Sequence, residues 1–160
     1  MKSHRIGALG LLLASLCGLS TAGCGHPFVP ATPPGFVDLG DRYPGGEYRA
    51  TTADGVVLGI RAYDNDPKGE LAFWSRSLER RMREVGGYAL LDKRPVSARG
   101  GLSGTRMRFG HDEGKEPYLY DVVLFVTDAK IYVVEAGGTK AEMSKQEAQI
   151  DWAIKSFAPK

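Results

Sequence analysis

Cysteine is almost missing. The 160 residues hold two, Cys17 and Cys24, and Cys17 lies inside an apolar leader. A chain left with one thiol at its extreme start forms no internal disulfide and builds no Cys-based metal site. Charge of one sign is missing too. Lys and Arg number 21 against 19 Asp and Glu, and Lys2 and Arg5 of the leader account for the whole excess. The remaining chain is neutral and has no electrostatic footprint for nucleic acid, so none is expected as a partner. Beyond the leader, no stretch is long and apolar enough to cross a membrane as a helix. With 42% apolar and 25% charged residues, the chain has the size and composition of one ordinary globular domain.

The leader is the most informative part. Lys2, His4 and Arg5 give a positive start, and an apolar run from Ile6 to Leu19 follows. Ser20, Thr21, Ala22 and Gly23 then lead into Cys24. That order reads as a secretory signal that is cut off. Cleavage after Ala22, on the small-x-small pattern of Ser20-Thr21-Ala22, would release a soluble protein beginning at Gly23. The lipidated alternative is preferred because cysteine is rare and stands where that chemistry needs it. Thr21-Ala22-Gly23-Cys24 resembles the lipobox of bacterial lipoproteins. The resemblance implies cleavage before Cys24, a diacylglyceryl group on its sulfur and an acyl group, such as palmitate, on its new amine. Two or more chains make a stable anchor, at about 0.8 kcal/mol per buried methylene. Gly25 follows, and absence of Asp there implies, by the same resemblance, delivery to the outer membrane.

Residues Gly25 to Gly46 carry Pro27, Pro30, Pro33, Pro34 and Pro44, five of the nine prolines. Proline fixes φ and removes a donor, so the stretch reads as an extended spacer, with Phe28, Val29, Phe36 and Val37 able to pack on the domain. The expected organisation is a signal peptide over 1–23, a lipidated cysteine and tether over 24–46, and a folded domain over 47–160.

Within that domain, segments 48–53 and 56–63 flank Asp54-Gly55, a hairpin signal. Asp66-Pro67 reads as a helix start. Leu71, Trp74, Leu78, Met82 and Val85 form its apolar stripe, and Gly86-Gly87 its end. Four strands follow. The first, over 88–98, contains Pro95, which marks an edge or a bulge. The second, over 102–109, places Thr105, Met107 and Phe109 on one face and Arg106 and Arg108 on the other. The third, over 118–127, is apolar on both faces and must be covered on both. The fourth, over 131–136, is joined to it through Asp128-Ala129. Thr139-Lys140-Ala141-Glu142 reads as a capping box, opening a helix that turns Met143, Ile150, Ile154 and Phe157 inward. The fold class is α+β: an antiparallel sheet of about six strands with two helices packed on it.

This order resembles the Mog1/PsbP-like fold, and within it the DcrB-type bacterial envelope lipoproteins. The resemblance rests on the glycine-containing turn between Pro95-Val96 and Gly101, the strongly apolar fifth strand and the closing Lys155-Ser156-Phe157. It implies a noncatalytic binding or assembly factor.

Motifs that imitate reactive sites read better as structure. Asp64-Asn65-Asp66-Pro67-Lys68-Gly69 begins like a calcium loop, but Lys68 and Ser75 stand at ligand positions. Gly101-Leu102-Ser103-Gly104-Thr105 departs from a nucleophile elbow at Thr105. After the leader only His26 and His111 remain, and neither is placed as a general base. Gly137-Gly138-Thr139-Lys140 has the letters of a phosphate loop in the wrong order. His111, Asp112, Glu113 and Glu116 offer one imidazole with carboxylates, a poor metal set. No cofactor, metal or catalytic residue is expected, so the chain reads as a non-enzyme. Arg76, Arg80 and Arg83 form a basic stripe on the first helix, a solvated face or a contact for an anionic partner.

The sequence therefore points to a periplasm-facing envelope lipoprotein anchored through Cys24, a noncatalytic module that binds an unknown protein or ligand of the envelope. Two alternatives stand beside it: a small exported enzyme with a pocket between sheet and helix near Trp74, Tyr118 and Tyr120, and a purely structural lipoprotein.

Overall fold

A computed structural model describes residues 25–40, 47–114 and 116–160; the leader, Cys24 and Pro44 lie outside the described residues. In chain order the strands and helices are β1 (Phe28–Val29), β2 (Val37–Asp38), β3 (Tyr48–Thr51), β4 (Val57–Asp64), α1 (Leu71–Glu84), β5 (Ala89–Ser97), β6 (Ser103–Glu113), β7 (Glu116–Val126), β8 (Lys130–Thr139), α2 (Lys140–Lys145), α3 (Glu147–Ser156) and β9 (Ala158–Pro159). Seven strands form one sheet in the order β2-β3-β4-β8-β7-β6-β5. Every pairing is antiparallel. This is the expected α+β architecture with one strand more, because β2 comes from the segment read as spacer.

That segment is not a free extension over 25–40. β1 pairs with β9 at the end of the chain, and β2 pairs with β3. Phe28 and Phe36 are buried, and the Phe28 ring lies 6.2 Å from that of Phe157. Apolar side chains between the prolines draw the backbone onto the domain.

β7 explains the layering. Val123 and Phe125 point to one side, where they pack with Leu58, Tyr132, Met143, Ile150, Ile154 and Phe157. Val122 and Leu124 point to the other, with Met107, Phe109 and the α1 residues Leu71, Trp74, Leu78 and Met82. α1 thus covers one face of the sheet, and α2 and α3 cover the other, as the two-sided apolar strand requires. Gly104 lets the layers close. A Cβ there would stand 2.5 Å from Phe125 Cε1 and 2.8 Å from the Leu124 carbonyl.

Three local expectations are corrected. α1 begins at Leu71 with Glu70 as its cap, not at Pro67. Buried Asn65 holds the preceding loop instead: its Oδ1 accepts from Gly69 N–H and Trp74 Nε1–H, and its Nδ2 donates to the Gly69 and Thr127 carbonyls. These bonds satisfy backbone groups outside the helix and keep 65–69 non-helical. Val85 is exposed, because the helix ends at Glu84 and the chain turns away through Gly87 at φ 69°. The closing helix is two helices, broken at Gln146.

Other features match. Thr139 Oγ1 accepts from Glu142 N–H at the start of α2. β5, with Pro95, is the outer strand and carries a bulge between Leu90 and Asp92.

Candidate functional site

α1 crosses above β7, β6 and β5, and its outer flank overhangs the last of these. A cleft of about 1100 Å³ lies between that flank and the β5 edge. Arg76, Glu79, Arg80, Arg83 and Glu84 line it from α1, and Tyr88, Ala89, Leu90 and Lys93 from the turn and strand. The helix period puts Arg76, Arg80 and Arg83 on one face, so the structure does bring these three together. Lys93 is added by register: it pairs with Met107, which faces α1, so its own side chain stands on the helix side of the sheet.

The cleft carries four cations and two carboxylates. Arg80 donates to Glu84 at 2.8 Å, Lys93 to Glu79 at 2.9 Å, and Arg83 to Glu79 at 3.5 Å. The Lys93 hydrogen bond, aided by Arg83, holds the Glu79 carboxyl below the usual range. Arg76 forms no hydrogen bond or ion pair with the described residues, and with two carboxylates shared among the others the cleft keeps an excess of positive charge. Its groups are exposed and already charged, which suits recognition of an anion better than proton transfer.

The opposite flank of α1 borders a smaller, apolar groove of about 330 Å³, lined by Tyr63, Trp74, Leu78, Leu124, Ile131 and Val133, with Asp64, Ser77 and Arg81 also at its walls. Trp74 lies there, whereas Tyr118 lines a third depression with His111 and Lys140. Tyr120 instead donates to Glu135, which also accepts from Arg61. Burial, and then the Glu135 charge, pushes the Tyr120 hydroxyl well above its ordinary value. Trp74, Tyr118 and Tyr120 thus do not share one pocket.

The imitation motifs are structural here. Asp64 pairs with Lys130 at 2.7 Å, and Asn65 is consumed by the loop. Ser103 pairs with Ser97 in the β5–β6 hairpin. Gly137 and Gly138 are within β8. His111 lies in β6 with its ring 5.0 Å from Tyr88. Among the described residues, no three His, Cys, Asp or Glu side chains converge on a point that could hold a metal.

Sequence reasoning missed the ionic cluster under α3. Arg106 and Arg108 leave the sheet on the face that the helix covers. Arg108 grips Asp121 with two bonds of 2.7 Å, while Arg106 bonds Asp121, Asp151 and Glu147. Burial alone would raise the Asp121 carboxyl, but the two guanidinium donors outweigh it and hold the group below its ordinary value. One aspartate in an otherwise apolar strand, opposite alternating arginines, was the available signal.

No known protein family matches the sequence, and no curated protein does. Solved structures do. LpqN of Mycobacterium tuberculosis, a protein involved in cell envelope biogenesis, aligns at a TM-score of 0.56 with 12% identity, over 87% of this chain and 88% of its own. The PsbP protein of the cyanobacterium Synechocystis aligns at 0.51 with 13% identity, over 88% and 98%. The Ran-binding protein Mog1p of Saccharomyces cerevisiae aligns at 0.51 with 12% identity, over 78% and 79%. At such identities the likeness speaks for the architecture, and what it establishes is that this chain has a Mog1/PsbP-like fold.

Proposed function

We propose that the chain is a lipid-anchored protein of the bacterial cell envelope whose folded part is a noncatalytic binding module. The observation that carries the binding role is the cleft beside α1, an open concavity with excess positive charge whose carboxylates are already bound to its cations. Such a surface recognises a partner by charge and shape. The anchor rests on Thr21-Ala22-Gly23-Cys24 behind the apolar leader. No helix among the described residues is long and apolar enough to cross a membrane, so an acyl anchor at Cys24 would supply the attachment. The likeness to LpqN, itself involved in envelope biogenesis, supports the same setting, with the outer membrane as the proposed site.

Crosslinking in intact cells, followed by capture of the protein from membranes, tests this reading. The wild type should bring down a defined envelope component, and Arg76→Gln/Arg80→Gln/Arg83→Gln should lose it while staying folded. Equal capture by the triple variant would remove the cleft from the account. Turnover of a substrate by purified protein would replace the binder with an enzyme.

A further inference from the structure

We infer that the occupant of the cleft is an extended acidic segment of a partner protein, lying between the arginine face of α1 and the open edge of β5. The inference rests on the proposal that the cleft is the binding site and adds the chemistry of what enters it.

Three observations favour an extended peptide. First, one wall is an edge strand: among the described residues β5 pairs with β6 alone, and no strand lies along its other edge. An edge strand presents unpaired backbone donors and acceptors, which an added chain can satisfy. The part lining the cleft, Ala89, Leu90 and Lys93, precedes Pro95, which has no N–H to offer and ends useful pairing. The bulge between Leu90 and Asp92 limits contact to short stretches, so side chains must supply most of the recognition.

Second, the helix wall has the spacing of an extended chain. Arg76 and Arg80 are four residues apart, about 6 Å along the axis at 1.5 Å per residue. Alternate side chains of a strand are about 6.6 Å apart and point the same way. Carboxylates at every second position can therefore meet Arg76 and Arg80 in turn, with a third near Arg83.

Third, the charges alternate. Glu79 and Glu84 sit among the arginines, and Tyr88, Ala89 and Leu90 add apolar surface beneath. A flat membrane does not enter a concavity walled by a strand. A peptide can place neutral or basic residues opposite the glutamates and apolar ones over Leu90. Arg76, the cation without a partner among the described residues, is the first contact.

The test uses the full-length protein in detergent and a fluorescent peptide of three Glu-Val repeats. Fluorescence anisotropy should show saturable binding that weakens as salt rises, because exposed ion pairs are screened over about 8 Å at physiological ionic strength. Arg76→Gln/Arg80→Gln/Arg83→Gln should weaken it about tenfold, the effect expected of three exposed ion pairs. Arg81→Gln, on the other flank of α1, should bind as wild type. Lys-Val repeats and Glu-Val repeats N-methylated at every residue should not bind, the second because methylation removes the backbone donors.

Equal binding of the N-methylated and unmethylated Glu-Val repeats would overturn the strand-edge geometry. Failure of the Glu-Val peptide to bind, or undiminished binding by the triple variant, would overturn the acidic-peptide inference. Binding of phosphatidylglycerol vesicles or of an acidic glycan in its place would give the cleft to that class. The crosslinking experiment is judged separately. A captured component lost on removal of the three arginines, with no affinity for the Glu-Val peptide, leaves the cleft as the site and rejects only its proposed occupant.

Discussion

Arg106 on β6 and Asp121 on β7 form an ion pair almost shut off from solvent, their side chains 2% and 1% exposed. Arg108 shares the aspartate, and Glu147 and Asp151 of α3 close over the two arginines. α3 is therefore attached to the sheet by charge as well as by Ile150, Ala153 and Ile154. A buried pair adds little net stability over an apolar one, but removing one partner strands the other.

Asp121→Asn should consequently be among the most damaging single changes in the domain. It removes the buried carboxylate that Arg106 and Arg108 share, leaving them only the half-exposed Glu147 and Asp151, and should cost up to about 3 kcal/mol. Glu147→Gln, at a half-exposed position, should cost much less. Urea unfolding of the two variants measures the difference, and similar midpoints would show that the cluster does not hold α3.

Acid sensitivity follows with a definite sign. The Asp121 carboxyl is held below its ordinary value in the folded state, so between the folded and unfolded pKa only the unfolded chain binds the proton. Its contribution is present above the unfolded value, about 3.9, and is lost as pH falls through the folded value. Unfolding free energy should be flat in this contribution near neutrality and fall below about pH 4. Asp121→Asn should flatten that acid limb in a pH series of chemical denaturation.

Gly104→Ala should destabilise by about 1–3 kcal/mol, through overpacking against a ring and a carbonyl that cannot both retreat. Gly110→Ala is the control. Its added Cβ would meet only the side chain of exposed Leu91, at 3.1 Å, which can swing aside. Thermal melts should separate the two clearly.

Phe28→Ala should cost up to about 3–5 kcal/mol, because β1, paired with β9, places this ring in the core. Hydrogen exchange gives the local readout. The Lys160 amide, which donates to the Pro27 carbonyl at 3.0 Å, should lose protection in the variant. Unchanged exchange would mean that 25–30 contributes nothing to the fold.

Much of this architecture was legible because it depends on period and punctuation. The alternation in β7 demanded cover on both faces, and Thr139 with Glu142 marked a helix start that formed as read. What escaped depends on distant partners. Asp66-Pro67 has the letters of a helix start, yet Asn65 is fixed by Trp74 and by Thr127, which no local reading joins. Phe28 sits among prolines that suggest a spacer, and only Phe157 and β9, at the other end of the chain, make it core. The arginine stripe was visible from helical spacing alone. Lys93 and the β5 wall were not, because they enter the cleft through sheet register.

Mass spectrometry of the intact protein extracted from its native membrane decides whether Cys24 attaches the chain to the bilayer. The expected product is a chain that begins at Cys24 and carries a diacylglyceryl group and an amine-linked acyl chain, both lost together with membrane retention in Cys24→Ala. A free, unmodified thiol at Cys24, or a chain that still bears residues 1–23, would contradict it.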